Sequence, residues 1–307
     1  MYQIPILFVI FNRPNIASKA FEQIRKIQPF RLYIACDGAR DNHEGEIDLV
    51  NATRRTIMSE IDWPCEVQTL FQDSNLGCGR GVYTAIDWFF KHNEYGIILE
   101  DDCVANVSFF QFMQEMLVQY KDDQRIGMVA GTNLIDLKDY PYSYLFSKYK
   151  SCWGWGTWRR AWQLMDMQMS WMKVDKQSVL ANAGYLGRDI SGWRYKIQCI
   201  QKGYVSAWDW QWYFSLAAQN QLCIYPINNL VSNIGTDDSA THTAFSDITK
   251  ESNQMHFPLV KPPFMAPYYP FDKAFYHRSN TLFIRIARLI PHVVKSRIKT
   301  IVSLFRK

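Results

Sequence analysis

Three consecutive acids, Glu100-Asp101-Asp102, follow the apolar run Ile97-Ile98-Leu99. Carboxylates crowded at the end of a buried strand repel one another across poorly screened space, so a cation or hydrogen-bond donors must offset them. A hard divalent ion, Mn²⁺ or Mg²⁺, held through one or two carboxylates and substrate phosphates, would do this. A solvated acidic turn, or a cap for the next helix, is the alternative. Asp209 is the second candidate, enclosed in Trp208-Asp209-Trp210-Gln211-Trp212. Aromatic rings desolvate a carboxylate and raise its pKa, which suits a general base, and ring faces suit stacking on sugars. A helix cap beside core tryptophans is the competing reading. His242, in Ser239-Ala240-Thr241-His242, is a candidate for metal or phosphate contact or an ordinary surface histidine.

Three shorter signals accompany these acids. Asn12-Arg13 and Asp37-Gly38 each read as ordinary turns when taken alone. Together they could serve a nucleotide, the carboxylate accepting from a uracil N3–H and the guanidinium packing on the base or its phosphates. The stretch from Asn75 to Gly81 offers small residues and Arg80 at a helix start, where backbone N–H groups favour anions. It lacks the Lys-Ser/Thr of a P-loop and the spacing of GxGxxG, which disfavours a mononucleotide ATPase and a dinucleotide dehydrogenase. No Ser/His/Asp or Cys/His arrangement stands out.

The elements that must position these residues follow from hydrophobic periodicity. Ile4 to Phe11 is a continuous apolar run, the pattern of a strand buried on both faces. Ile16, Ala20, Ile24 and Ile27 then recur at helical spacing. Strands at Arg31–Cys36, Glu66–Phe71 and Gly96–Leu99 alternate with helices around Ile47–Ile61 and Val82–Phe90. A further helix through Phe109–Tyr120 leads to a strand at Ile126–Ala130. Alternating strands and helices predict an α/β fold with a mostly parallel, doubly wound sheet, because parallel strands need crossover helices. In such sheets ligands lie outside the carboxyl ends of the strands. Asn12-Arg13, Asp37-Gly38, Asp73-Ser74-Asn75 and Glu100-Asp101-Asp102 all fall on that edge. The second half, with five tryptophans between Lys150 and Trp171, has no clear period.

Composition narrows the function classes. The chain has 307 residues, 48% hydrophobic and 21% charged, with 11 Trp, 17 Tyr and 19 Phe, which excludes intrinsic disorder. Nine Lys/Arg and no acid lie between Lys273 and Lys307. Removing those nine from 34 basic residues leaves 25 against 29 acids, so the body stands at −4 and the tail at +9. A nucleic-acid-binding body would need a basic face of its own, so nucleic acid is not an expected partner. Seven cysteines without a CxxC pair argue against a zinc site or a disulfide framework and fit a reducing compartment. The N-terminal apolar run is too short for a signal peptide, and no stretch has the length of a membrane span, which predicts a cytoplasmic protein.

In their order and spacing, several of these residues resemble the GT-A glycosyltransferases, and within them a bacterial group similar to eukaryotic N-acetylglucosaminyltransferase I. The resemblance rests on Pro5 to Pro14, Ala35-Cys36-Asp37-Gly38, Asn75-Leu76-Gly77, Ile98 to Asp102 with Phe109-Phe110, Trp153 to Trp158 and Trp208-Asp209. It covers residues 4 to 245 and implies a GT-A, Rossmann-like fold. It implies an inverting, metal-dependent hexosyl- or N-acetylhexosaminyltransferase using a nucleotide-diphosphate sugar, most simply a UDP-sugar. Asp102 would be the direct metal ligand, with His242 a second candidate. Asp101 would lie near the ribose and Glu100 near the donor sugar. Arg13 and Asp37 would face the base, with Phe11, Asn12, Asn75 and Arg80 completing the donor site. Asp209 matches the inverting base, and Trp155, Trp208 and Trp210 are the candidates for sugar stacking. The Golgi enzymes of the family carry an N-terminal anchor; its absence here implies a bacterial cytoplasmic enzyme extending a surface glycan or lipid-linked saccharide.

Two other classes compete. A sugar nucleotidyltransferase also combines an α/β fold with carboxylate-bound Mg²⁺, but would carry a glycine-rich N-terminal loop with Arg and Lys, which Asn12-Arg13-Pro14 is not. A non-catalytic carbohydrate-binding protein would explain the tryptophans and leave the acidic triplet unexplained. The expected organisation is one catalytic domain over residues 1–265, with a nucleotide-sugar half (1–103) and an acceptor half (104–265). A basic tail over 273–307 follows. Two amphipathic cationic segments flank Pro291, the pattern of an interfacial anchor, which predicts peripheral attachment to an anionic membrane on its inner face.

Overall fold

A computed structural model describes residues 1–235 and 250–290. Strands β1 (Ile6–Ile10), β2 (Arg31–Cys36), β3 (Glu66–Phe71) and β4 (Tyr95–Glu100) alternate with helices α1 (Pro14–Ile27), α2 (Glu46–Ser59) and α3 (Gly77–His92). There follow β5 (Cys103–Ala105), α4 (Val107–Gln119), β6 (Ile126–Ala130), β7 (Tyr144–Ser147), β8 (Trp155–Trp158) and α5 (Arg159–Trp162). The chain continues through α6 (Lys176–Asn182), α7 (Ile190–Gln201), α8 (Asp209–Ala218), β9 (Leu222–Pro226), β10 (Val231–Asn233), α9 (Tyr269–Ser279) and α10 (Leu282–Leu289).

Eight strands form one sheet in the order β3-β2-β1-β4-β8-β6-β9-β7. The β3-β2-β1-β4 half is wholly parallel, and β6 pairs β9 in parallel. This is the α/β class that the sequence predicts, mostly parallel with helices on both faces. The far half departs from pure winding, because β8 runs antiparallel to both β4 and β6, and β7 antiparallel to β9. Of these strands β1, β2 and β4 are largely buried on both faces, with alternate residues going to opposite sides, while the edge strand β3 is exposed or half-buried throughout. Ile6, Phe8, Leu32, Ile34, Ile97 and Leu99 join one core with residues of α1, α2 and α4. Leu7, Tyr33, Ala35 and Ile98 join the other, with α3, α5 and α8.

Strand order reverses beside β1, whose neighbours are β2 and β4. The crevice at that switch point lies at the carboxyl ends of the three strands and is where an open α/β sheet binds its ligand. Glu100 is the last residue of β4, and the chain then enters the small β5-β10 antiparallel ribbon. The ribbon brings Asn233 and Gly235 against Asp102. Asn106, whose side chain accepts from the Ser108 N–H at 3.0 Å, caps α4. The acidic triplet is therefore not a helix cap.

The basic tail drawn from Lys273 begins inside α9, which belongs to the body. Phe271 is fully buried with its ring 4.8 Å from Tyr225, and Asp272 accepts from the Ser147 hydroxyl at 2.5 Å. Charge counting placed that boundary; apolar burial moves it past α9. Residues 291–307, which carry the second amphipathic segment, lie outside the described residues. Among the described residues no helix is long and apolar enough to cross a membrane.

Candidate functional site

A cavity of 740 Å³ opens at the carboxyl edge of β1, β2 and β4. Phe11, Asn12, Arg13, Asp37 and Asn75 lie on its wall, together with Glu100, Asp101 and Asp102. Trp208, Asp209 and Trp210 close it from the opposite side. Residues far apart in the chain thus share one cavity.

Arg13 organises the charged edge. Its guanidinium pairs with Asp101 and with Asp102, the latter at 3.0 Å, and the Phe11 N–H donates to Asp101 at 3.2 Å. Burial works against the Arg13 charge, but the two carboxylates outweigh it and raise its pKa. Asp101 is pushed up to about 6 because burial exceeds what Arg13 returns. Among the described residues Glu100 has no such ion pair. Burial, then the charges of Asp102, Asp101 and Asp209, push it up to about 8. The edge is therefore short of positive charge even with Arg13 in place.

Asp102 stands at the mouth of this cluster. One oxygen accepts from Asn233 Nδ2 at 3.2 Å, and its backbone carbonyl accepts from the Ile234 N–H at 2.9 Å. Gly235 is required here, since a Cβ would come within 2.1 Å of the Asp102 carboxylate. Among the described residues no three His, Cys, Asp or Glu side chains converge as a metal cage. What the edge provides is two partly exposed carboxylates, Asp102 and Glu100, of which Glu100 has no ion pair among the described residues. That donor set fits an ion taking most of its ligands from phosphate and water, the habit of Mg²⁺ and Mn²⁺. His242 lies outside the described residues.

The Asp37 carboxylate is spent on the fold. It accepts from the Leu76 N–H at 2.9 Å, Gly77 N–H at 3.0 Å and Gly38 N–H at 3.0 Å, tying the β2 loop to the start of α3. Gly79 N–H donates to Ser206 Oγ at 3.0 Å, and a Cβ on Gly79 would stand 2.8 Å from that oxygen. The start of α3 therefore does not present these N–H groups to an anion, as the glycine-rich stretch suggests it could. Its glycine instead lets the Trp208-Asp209 loop approach. Asn75 lines the cavity and donates to the Gly38 carbonyl at 2.7 Å. Arg80 is exposed and off the cavity wall, a correction to its place among the donor-site residues: it projects from the outer side of the first helical turn.

The opposite wall is aromatic. Trp208 is 4% exposed and stacks on Trp155 at 5.7 Å, with Trp162 and Trp212 packed around the pair. Trp155 is fully buried on β8, which corrects its reading as a sugar-stacking residue: its ring faces are covered by other tryptophans. Trp210 keeps a partly exposed ring on the cavity. Asp209 is the first residue of α8, directly after Trp208.

One group escaped the sequence reading. Glu46, the buried first residue of α2, accepts from Asn12 Nδ2 at 2.8 Å and pairs with Arg40, which holds its carboxyl down at about 2. The Arg40 guanidinium in turn lies 5.8 Å from the centre of the Phe11 ring. Only the acid at the first turn of a predicted helix hinted at this cluster; its partners lie up to 34 residues away.

No family model matches the chain, and no curated protein matches it. Similar solved structures include a cytidylyltransferase from Leptospira borgpetersenii, at 12% identity and a TM-score of 0.34 over 55% of this chain. That match spans 65% of the cytidylyltransferase, a little under two thirds of its length. An apo UDP-glucose pyrophosphorylase matches at 9% identity and a TM-score of 0.33, over 72% of this chain and 90% of its own. Mouse xyloside xylosyltransferase 1 matches at 10% identity and a TM-score of 0.34, over 73% and 84%. Likenesses this distant carry no argument about reaction or substrate, which must come from the cavity itself.

Proposed function

We propose that the protein is an inverting glycosyltransferase that uses a nucleotide-diphosphate sugar, most simply a UDP-sugar. The observation that supports this best is the shared cavity, with the acidic strand end on one side and an aromatic-flanked carboxylate on the other. The Phe11, Arg40 and Asn12 corner suits the base, and the Arg13 edge suits ribose and phosphates. A divalent cation, when bound through Asp102, would offset the negative charge of the diphosphate leaving group. Asp209 takes the proton from the acceptor hydroxyl, whose oxygen bonds to the anomeric carbon. The bond from that carbon to the diphosphate oxygen breaks, and the nucleoside diphosphate leaves with the electron pair. Trp208 and Trp210 shield that step from water.

Calorimetric titration with UDP, with and without Mn²⁺, tests the donor site. Binding should strengthen with Mn²⁺, and Asp102→Ala should lose that dependence while melting as the wild type does. A variant with unchanged manganese dependence removes Asp102 from the metal's ligands. Release of pyrophosphate from UTP and a sugar 1-phosphate, without UDP release from any UDP-sugar, would make the chain a nucleotidyltransferase. The loop after β1, Phe11-Asn12-Arg13-Pro14, contains no glycine and speaks against that class.

The acceptor in this reading is a surface-glycan or lipid-linked saccharide, with the enzyme held at the inner membrane face by its basic end. Exposed Leu282 and Ile286 on α10 fit such an attachment. Full-length protein should sediment with anionic vesicles in a salt-sensitive way, and a chain ending at Asn280 should not. Equal sedimentation of the two sinks the attachment.

A further inference from the structure

Behind Asp209 and Trp210 lies a second cavity, of 410 Å³. Cys152, Trp153, Asp209 and Trp210 line both cavities, so one carboxylate faces both. The chemistry of the second is the reverse of the first, since three elements bring cations to its wall: Lys150 after β7, Lys196 on α7 and Arg288 on α10.

Lys150 is 7% exposed, donates to the Lys148 carbonyl at 2.6 Å and lies 4.6 Å from the Tyr213 ring centre. The Lys196 ammonium sits over Trp193 and Trp210, 4.5 and 4.9 Å from their ring centres. Arg288 donates to Asn280 Oδ1 at 2.7 Å and to the Ser279 carbonyl at 3.2 Å. Among the described residues none of the three forms an ion pair with a carboxylate. Asp189, on the same wall, accepts from the Tyr149 hydroxyl, from the Tyr185 N–H at 3.1 Å and from Asn280 Nδ2 at 3.0 Å. Burial pulls both lysines down to about 8. Asp209 raises Lys196 and Asp272 raises Lys150 without overcoming burial, and an anionic ligand would add to what those carboxylates return. The volume falls within the roughly 300–1,000 Å³ common for small-molecule sites.

We propose that this second cavity is the acceptor site and that it takes a saccharide carrying a carboxylate or phosphate. The sugar lies against Trp193, Trp210 and Tyr213, its anion is held by Lys150 and Lys196, and its hydroxyl faces Asp209. The inference rests on the glycosyltransferase reading, and the test separates the two.

Protein saturated with UDP and Mn²⁺ is titrated with glucuronate, glucose 1-phosphate, glucose and inorganic phosphate, read by ligand-observed NMR. The two anionic sugars should bind about tenfold or more tighter than glucose. Lys150→Met and Lys196→Met should each lose that preference without changing UDP affinity. Lys196 is partly exposed, so its variant gives a readout even where Lys150→Met fails to fold. Equal binding of charged and uncharged sugars, binding of none, or an unchanged preference in the folded variants overturns the proposal. Inorganic phosphate binding as tightly as glucose 1-phosphate overturns the saccharide assignment. If wild type binds no UDP, the donor reading fails; if UDP binds and the charged sugars show no preference, only the acceptor proposal fails.

Discussion

The two walls of the main cavity are held in place by opposite means. On the strand edge, Arg13, Asp101, Asp102, Asn12 and Glu46 are fixed by ion pairs and hydrogen bonds, and Glu100 and Asp101 there titrate far from their ordinary range. Across the cavity, Trp155, Trp162, Trp208 and Trp212 hold one another by ring packing, and the indole N–H groups of Trp155 and Trp212 are buried without a hydrogen-bond partner among the described residues. Each such N–H costs about 1–3 kcal/mol, so the apolar contacts of the rings must exceed that. The charged wall carries more negative than positive charge, whereas the aromatic wall is held by its own ring contacts. Substitutions should therefore alter binding on the first and stability on the second.

The largest expected effect is on the aromatic side. Trp155→Ala should lower the unfolding free energy by about 3–5 kcal/mol, measured by chemical denaturation, because it opens a hole among three other tryptophans. A variant as stable as wild type would reverse the comparison. Asp209 sits at the seam between stability and chemistry, and Asp209→Asn should cut turnover by about 10²–10⁴-fold while leaving UDP affinity unchanged. Equal turnover would move the base elsewhere, with Asp237 or Asp238 the next candidates.

A smaller effect concerns pH. Asp272, in the body of the aromatic half, has its pKa pushed up to about 6 by burial. The folded state thus takes up its proton more readily than the unfolded chain, whose Asp titrates near about 4. This carboxylate costs stability above about pH 6, and the cost fades as pH falls from about 6 to about 4. The stability of Asp272→Asn relative to wild type should therefore be greater at neutral pH than near pH 4, by about 2 kcal/mol. A difference that does not vary with pH would show that Asp272 titrates normally in the fold.

The parallel half was legible because β1, β2 and β4 are short apolar runs bounded by polar breakers; β2 and β3 fall on the predicted residues, as does β6 in the far half. The convergence of Arg13, Asp37 and the acidic triplet on one cavity followed from that winding alone. The second half resisted because strands of four residues such as Trp155–Trp158 leave no period to read, and antiparallel insertion of β8 carries no local signal. Trp155 and Trp208 look alike in sequence, yet one is covered on both faces and the other borders the cavity. Lys150 and Lys196 were invisible as a pair because nothing in their 46-residue separation relates them; only the packing of α7 against the aromatic core does.

The hydrogen bonds from the start of α3 to Asp37 set when the loops after β2 and before α3 become ordered. They form as the chain folds and need no ligand, so the conformational entropy of fixing those loops is already lost before any nucleotide arrives. If the proposed nucleotide binds here, it meets a pre-organised surface, and most of its contact energy can appear as affinity instead of being consumed in ordering the chain.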